Sequence, residues 1–307
     1  MSNVKSESIK ILREKTGAGI MDCKKALQET SGDIEQSVIW LRKKGISSAN
    51  KKSSRTAAEG LVGVAIKGSI ACILEVNSET DFVSKNKDFQ HFINRVLAIL
   101  VEKKVTLENL MHINYNEDTR IEDALKNLIA KIGENIVVRR LQYILSEGDN
   151  SFFVSYTHNK VDECLGKIGS IVLAKANNNN EKTKELAKKI SMHISASRPL
   201  ALKKELLNSE FISKEKDIIK GQLLDSGKPE NIIDKIVEGK ISKYVSEVTL
   251  LEQSWVMDTS LKVKDVINKF NEDNTEKFEL IDYAFFVLGE GIDIVEKNFK
   301  EEVESQL

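Results

Sequence analysis

Three residue patterns in this 307-residue chain could carry chemistry. The first is a thiol centre. His158, Asp162 and Cys164 lie close in sequence, and a nucleophilic thiolate needs a base and an orienting acid. Such a centre is defined by proximity in space, so closeness in sequence does not make these three an active site. The remaining histidines, His91, His112 and His193, do not pair with cysteines at metal-ligand spacing, and no metal site is expected. His193 falls on an apolar helix face, where a buried, hydrogen-bonded ring is the ordinary outcome. The second pattern is phosphate binding. Gly17-Ala18-Gly19 and Gly289-Glu290-Gly291 each hold a G-x-G. Both lack the further glycines, or the Gly-Lys-Ser/Thr ending, of loops that cradle phosphates with backbone N–H groups. Neither is expected to bind a nucleotide directly, and no cofactor is implied. The third pattern is recognition. Glu79-Thr80-Asp81-Phe82-Val83-Ser84-Lys85-Asn86 sets an aromatic residue beside an acid in a polar stretch. Such a Phe either covers its own core, the usual fate of the side chain, or enters a pocket on another molecule.

The elements around this stretch decide how Phe82 is presented. Ile70 to Val76 is β-branched and apolar and reads as a buried strand. After Asn86, apolar residues recur at Phe89, Phe92, Ile93, Val96, Leu97 and Leu100, the spacing of a buried helix face. Phe82 therefore sits on a strand-to-helix corner, outside both apolar patterns.

Hydrophobic residues make up 41% and charged residues 30%, the composition of a soluble globular protein of two or three domains. No apolar run reaches the ~18 residues of a membrane span, and no signal core or Arg-rich transit segment opens the chain. Three widely spaced cysteines argue against a disulfide scaffold and fit a reducing cytoplasm. Net charge is −1, yet residues 1–55 hold twelve Lys/Arg against six Asp/Glu, whereas 258–307 hold six against thirteen. The basic end suits an acidic partner or nucleic acid.

The fold class is α+β. Residues 1–45 read as a three-helix module, with Asp33 capping a third helix that stops before Gly45. Residues 46–58 read as an exposed basic linker. The core reads as two halves, each a hairpin with a helix on one face, a two-layer arrangement. Its N-subdomain spans 59–145 and its C-subdomain 146–202 with 244–258. In the first half Lys67-Gly68-Ser69 turns the hairpin, and a helix holding Ile121, Leu125, Leu128 and Ile132 leads to a strand over Ile136–Leu145. Residues 203–243 trace two apolar helical stripes broken at Ser226-Gly227-Lys228-Pro229, a protruding antiparallel hairpin. Strands near Val245–Leu251 and Ser254–Met257 return to the core. A C-terminal module over 259–307 holds a helix capped by Ser260, a strand near Phe278–Leu288 and an acidic terminal helix.

Several segments together resemble one family. Leu12-Arg13-Glu14-Lys15-Thr16-Gly17-Ala18-Gly19-Ile20-Met21-Asp22-Cys23-Lys24-Lys25-Ala26-Leu27 is similar to the N-terminal signature of the elongation factor Ts family, the guanine-nucleotide exchange factors of bacterial translation. Glu75-Val76-Asn77 with Thr80-Asp81-Phe82-Val83 resembles its second signature, and Lys131-Ile132-Gly133-Glu134-Asn135 a third. Met192-His193-Ile194, Val237-Glu238-Gly239-Lys240 and Gly289-Glu290-Gly291-Ile292 follow in the family's order. The resemblance implies a ubiquitin-associated-like (UBA-like) first module and a partner, elongation factor Tu, bound in its GDP form. It implies exchange by differential binding, without bond chemistry. It makes Phe82 a wedge entering an apolar gap beside the partner's Mg²⁺ region, held by Asp81 and shaped by Thr80 and Val83. Ile132, Gly133 and Glu134 would add a nearby contact, and Ile20 and Met21 would grip the GTPase domain. The hairpin at 203–243 would either pair two copies within a heterotetramer or touch the partner. The competing reading is a nucleic-acid- or ribosome-associated module using the basic 42–55 segment.

Overall fold

The computed structural model describes residues 4–224 and 230–293. The expected break at 226–229 and the acidic terminal helix lie outside the described residues.

Helices α1 (Ser6–Thr16), α2 (Ile20–Glu29) and α3 (Ile34–Lys52) form the first module. Leu12, Cys23, Ala26 and Leu27 are its buried centre, with Ile34, Val38 and Leu41 packed against them. Asp33 caps α3 as expected, its Oδ1 accepting from the Gln36 N–H at 2.9 Å. However, α3 does not stop before Gly45; it runs through most of the stretch read as a linker. Gly45 is there for contact rather than termination. A Cβ on it would lie 3.2 Å from the Ala130 Cβ, so the missing side chain lets another helix approach closely.

Strands β1 (Glu59–Lys67) and β2 (Ile70–Ser78) form the expected hairpin. Helix α4 (Lys87–Lys103), the short α5 (Leu107–Leu110) and α6 (Ile121–Ile132) follow, and β3 (Ile136–Leu145) closes on β2. The second half begins with β4 (Ser151–His158), β5 (Leu165–Gly166), β6 (Ile168–Lys175) and α7 (Glu181–Ser197). Helices α8 (Ser209–Leu224) and α9 (Glu230–Val248) make the hairpin, and its Ile219, Ile233 and Val237 form a small apolar cluster of their own. The strand expected at Val245–Leu251 is instead the end of α9 and a 3₁₀ turn. Ile233, Val237, Ile241 and Val245 continue one stripe at a spacing of four, and packing on that stripe overrides the β-branched residues. Strands β7 (Ser254–Trp255) and β8 (Asp258–Lys262) form a small ribbon before α10 (Val263–Asn274) and β9 (Glu279–Val287). Ser260 does not cap α10. It lies in β8 bonded to Asp258, and Asp265 accepts from the Lys262 N–H at the helix start.

The sheets run β3-β2-β1-β5 and β4-β6-β9. The stretch read as a C-terminal module thus supplies the third strand of the second sheet. Leu61, Cys72, Leu74 and Val76 pack under α4, and Val172 and Ala174 under α7. Between the sheets, Val62, Val64, Ala71 and Ile73 meet Ile171, Leu173, Ala284 and Phe286. Each half is two layers, and the halves stack sheet to sheet. Strands β1 and β2 are apolar on both faces because both faces are covered. His193, fully buried on α7, stacks on Trp255 with ring centroids 5.2 Å apart. Its Nδ1 accepts from the Val256 N–H, so Nε2 carries the proton and donates to Gln253 at 3.0 Å.

Candidate functional site

Strand β2 delivers the chain to Ser78, and Asp81–Lys85 then forms one 3₁₀ turn before α4. Four backbone carbonyls of this corner, those of Thr80, Asp81, Val83 and Ser84, have partners. The Ser78 hydroxyl donates to Thr80 O, the Ser84 hydroxyl to Asp81 O and the Asn86 N–H to Val83 O. Gln90 reaches back from α4 and donates to Ser84 O at 2.8 Å. Asn86 Oδ1 accepts from the N–H groups of Asp88 and Phe89, capping the helix.

Phe82 does not cover the core. Its side chain is 76% exposed, while the adjacent Val83 is buried in the cluster beneath α4. A turn with 3₁₀ pitch points successive side chains to different sides, so one apolar neighbour anchors while the other projects. Asp81 is exposed beside it, and its carboxylate has no hydrogen bond among the described residues. The result is an apolar side chain and a free carboxylate on an immobilised backbone.

Of Ile132, Gly133 and Glu134, the structure bonds Glu134 to this corner. Helix α6 ends at Gly133 in a left-handed conformation (φ 90°) that a side chain would disfavour. Glu134 then turns to Thr80, accepting from its N–H at 2.9 Å and its hydroxyl at 2.6 Å. No local pattern pairs Glu134 with Thr80, fifty-four residues earlier. Glu79 Oε1 accepts in return from the Asn135 N–H at 2.6 Å, and Asn135 Nδ2 donates to Arg55 O at 2.7 Å. Glu79 and Asn135 fall within the sequence motifs, but their bond to each other and the Asn135–Arg55 bond were not legible, because each joins residues more than fifty positions apart. Ile132 is half-buried against the core.

Ile20 and Met21 open α2 and are 55% and 73% exposed. Their module rests on α6 through the Gly45–Ala130 contact and the Arg42–Asp123 ion pair at 2.6 Å. Lys131, one residue before Ile132, pairs with Asp88 on the first turn of α4 at 2.8 Å. Helix α6 therefore touches the first module along its length and the corner at its end.

The other patterns resolve differently. Cys164 is exposed, but burial of its sulfur and the charges of Asp162 and Glu163 push its thiol up, opposite to the shift a nucleophile needs. The His158 Nδ1 is engaged with the Tyr156 hydroxyl at 2.9 Å. Among the described residues no cluster of three His, Cys, Asp or Glu side chains could hold a metal ion, and no helix is long and apolar enough to cross a membrane. In the basic 42–55 segment, Arg42, Lys44 and Arg55 each face a carboxylate of this chain, at 2.6, 2.5 and 3.5 Å.

Comparison with known proteins bears on what this corner serves. The family model described as Elongation factor TS matches residues 79–290. The chain is 42% identical over 303 residues to Elongation factor Ts of Zymomonas mobilis subsp. mobilis, covering 99% of this chain and 98% of the relative. It is 41% identical over 309 residues to Elongation factor Ts of Rhodospirillum rubrum, covering 100% of this chain and 99% of the relative. This chain belongs to the elongation factor Ts family. Its role is that of a translation elongation factor. The family match begins at Glu79, so the corner opens the matched region, whereas the helices carrying Ile20 and Met21 precede it and are covered by the full-length relatives.

Proposed function

We propose that this protein binds the GDP form of elongation factor Tu in the cytoplasm and speeds GDP release, so that GTP can reload during elongation. It acts without bond chemistry. An exchange factor must bind the nucleotide-free GTPase better than the nucleotide-bound one, since only differential affinity shifts that equilibrium. Linkage then makes factor and nucleotide weaken each other's binding reciprocally. The Mg²⁺ and phosphate cradle supplies much of a nucleotide's electrostatic hold, so a wedge that disturbs it is an economical route to release.

The observation that carries this reading is Phe82, a large apolar side chain left in solvent on a corner whose backbone is pinned. A rigid anchor enters a partner's pocket with little ordering cost. Asp81 is free to make polar contacts beside it, Thr80 and Val83 shape the corner, and Ile20 and Met21 are exposed for the GTPase domain. Phe211 and Ile218, seven residues apart on α8 and both exposed, favour pairing of two copies through 203–243 as the accompanying assembly.

Release of a fluorescent GDP from elongation factor Tu tests the reading. The protein should accelerate release. Truncating an aromatic anchor costs about 2–4 kcal/mol, so Phe82→Ala should slow it about 30-fold or more. Circular dichroism of the variant should be unchanged. Undiminished exchange by a folded Phe82→Ala protein would refute the wedge. Binding of RNA with a steep salt dependence, and no effect on GDP release, would instead favour a nucleic-acid role for 42–55.

A further inference from the structure

We propose that Glu134 and Glu79 form a reciprocal latch that holds Phe82 in its docking pose, as positioning residues that do not touch the partner. The proposal rests on the exchange reading above and assigns how its wedge is kept in place.

Both oxygens of Glu134 are occupied by Thr80, one by the backbone N–H and one by the hydroxyl. Turning this carboxylate outward to a partner would strand a half-buried amide, and such losses are costly. Glu79 reaches the opposite way, from the end of β2 to the Asn135 N–H. The two carboxylates thus tie the same two chain segments twice, in opposite directions. Arg55 supplies the counter-charge, its Nη1 3.5 Å from Glu79 Oε1, while its carbonyl accepts from Asn135 Nδ2. Three segments, the exit of α3, the end of β2 and the α6–β3 turn, therefore meet under the corner. On its far side the corner is held by Asn86 and Gln90. Removing the latch frees the strand side alone, so Phe82 can swing while the core beneath it stays packed through Val83.

GDP release measured against factor concentration separates positioning from contact. Loss of two charge-assisted hydrogen bonds should cut the maximal release rate of Glu134→Ala about tenfold. The half-saturating concentration should move by about twofold or less, and Glu134→Gln, which keeps one acceptor oxygen, should recover part of the rate. Because Glu134 acts through Phe82, adding Glu134→Ala to Phe82→Ala should cause no further loss. A raised half-saturating concentration at full maximal rate would overturn the proposal in favour of a direct contact. So would losses that add in full. In the free protein, amide hydrogen exchange across 79–86 should quicken in Glu134→Ala and Glu79→Ala, and unchanged protection there would also overturn it. If the unmodified protein fails to speed GDP release, the exchange reading falls, and the latch stands or falls on amide exchange alone.

Discussion

Phe82 and Val83 are neighbours with opposite energetic roles. Leaving a Phe side chain in water forgoes about 1.5–3 kcal/mol of burial, so a fold selected for stability alone would not leave it 76% exposed. Val83 is buried against the α4 face and anchors the turn. Chemical denaturation should reveal the split. Val83→Ala removes two buried methyl groups and should cost about 2 kcal/mol. Phe82→Ala should leave the unfolding midpoint unchanged within error, because almost no buried area is lost. A Phe82→Ala midpoint that falls as far as that of Val83→Ala would show that the ring packs on its own protein. Phe82 would then be a core residue, and the exchange defect expected of its truncation would need another cause.

At the scale of elements, the seam between α3 and α6 is set by the size of one side chain. Gly45 brings the helices to contact, and Arg42 pairs with Asp123 along the same seam. Gly45→Leu should strengthen α3 as an isolated helix, since glycine is a poor helix former, while levering the first module off α6. Tryptic cleavage at Lys51, Lys52 and Arg55 should then rise about tenfold, following the population of the opened form, with no change in the unfolding midpoint of the core. An unaltered cleavage rate would mean that the module is held elsewhere. Gly45 also marks where sequence reading fails. A glycine after a basic turn reads as a helix end, and only the helix opposite, more than eighty residues away, shows it to be a contact. Elements with strong local periodicity were legible to within a few residues: the β1–β2 hairpin, α4, α6 and β3. The corner was legible as a place, since Phe82 fits neither the strand nor the helix pattern around it. The Glu79–Asn135 and Glu134–Thr80 bonds were not, because they pair residues that no local pattern connects. The end of α9 misread as strand because Val245, Val248 and Thr249 are β-branched, a weak preference that the apolar stripe outweighs.

At the scale of the molecule, two halves share one plan. Each places its second strand in the middle of the sheet, and in each the pairing with the third strand slips after the sixth residue of that strand, Glu75 in β2 and Leu173 in β6. Each packs a 17-residue helix, capped by Asn86 or Asn180 and ended by a left-handed Lys104 or Arg198. The halves differ at the corner: residues 79–86 join β2 to α4, and only 176–180 join β6 to α7. The longer connection is the one that carries Phe82. The halves also differ at the slip. Leu173 lies in the apolar seam between the sheets, but Glu75 is a fully buried carboxylate that ties the halves together. It accepts from Asn77 Nδ2, from Arg139 and Arg140, and from the Gly289 N–H beyond β9 at 2.9 Å. Arg140 also pairs with Glu290 at 3.1 Å and lies over the Phe286 ring. Burial alone would push the Glu75 carboxyl up, but the Gly289 N–H, the Arg140 guanidinium and Asn77 outweigh it and hold it below the ordinary value of about 4.5. A carboxyl depressed in the folded state stabilises fully above its unfolded value, and that contribution is lost as pH falls through the folded value. Removing one partner of a buried pair costs about 3–5 kcal/mol, so Glu75→Gln should be destabilised by that order at pH 7 in urea. The gap to the unmodified protein should then narrow from about pH 4.5 downward, as the native carboxylate protonates and loses its advantage over the amide. Carboxyls held low elsewhere, such as Asp162 and Glu252, titrate in both proteins and cancel in the difference. A gap that stayed constant from pH 7 to the acid limit of folding would mean that the charge of Glu75 does not join the halves, and that its hydrogen bonds and shape alone do.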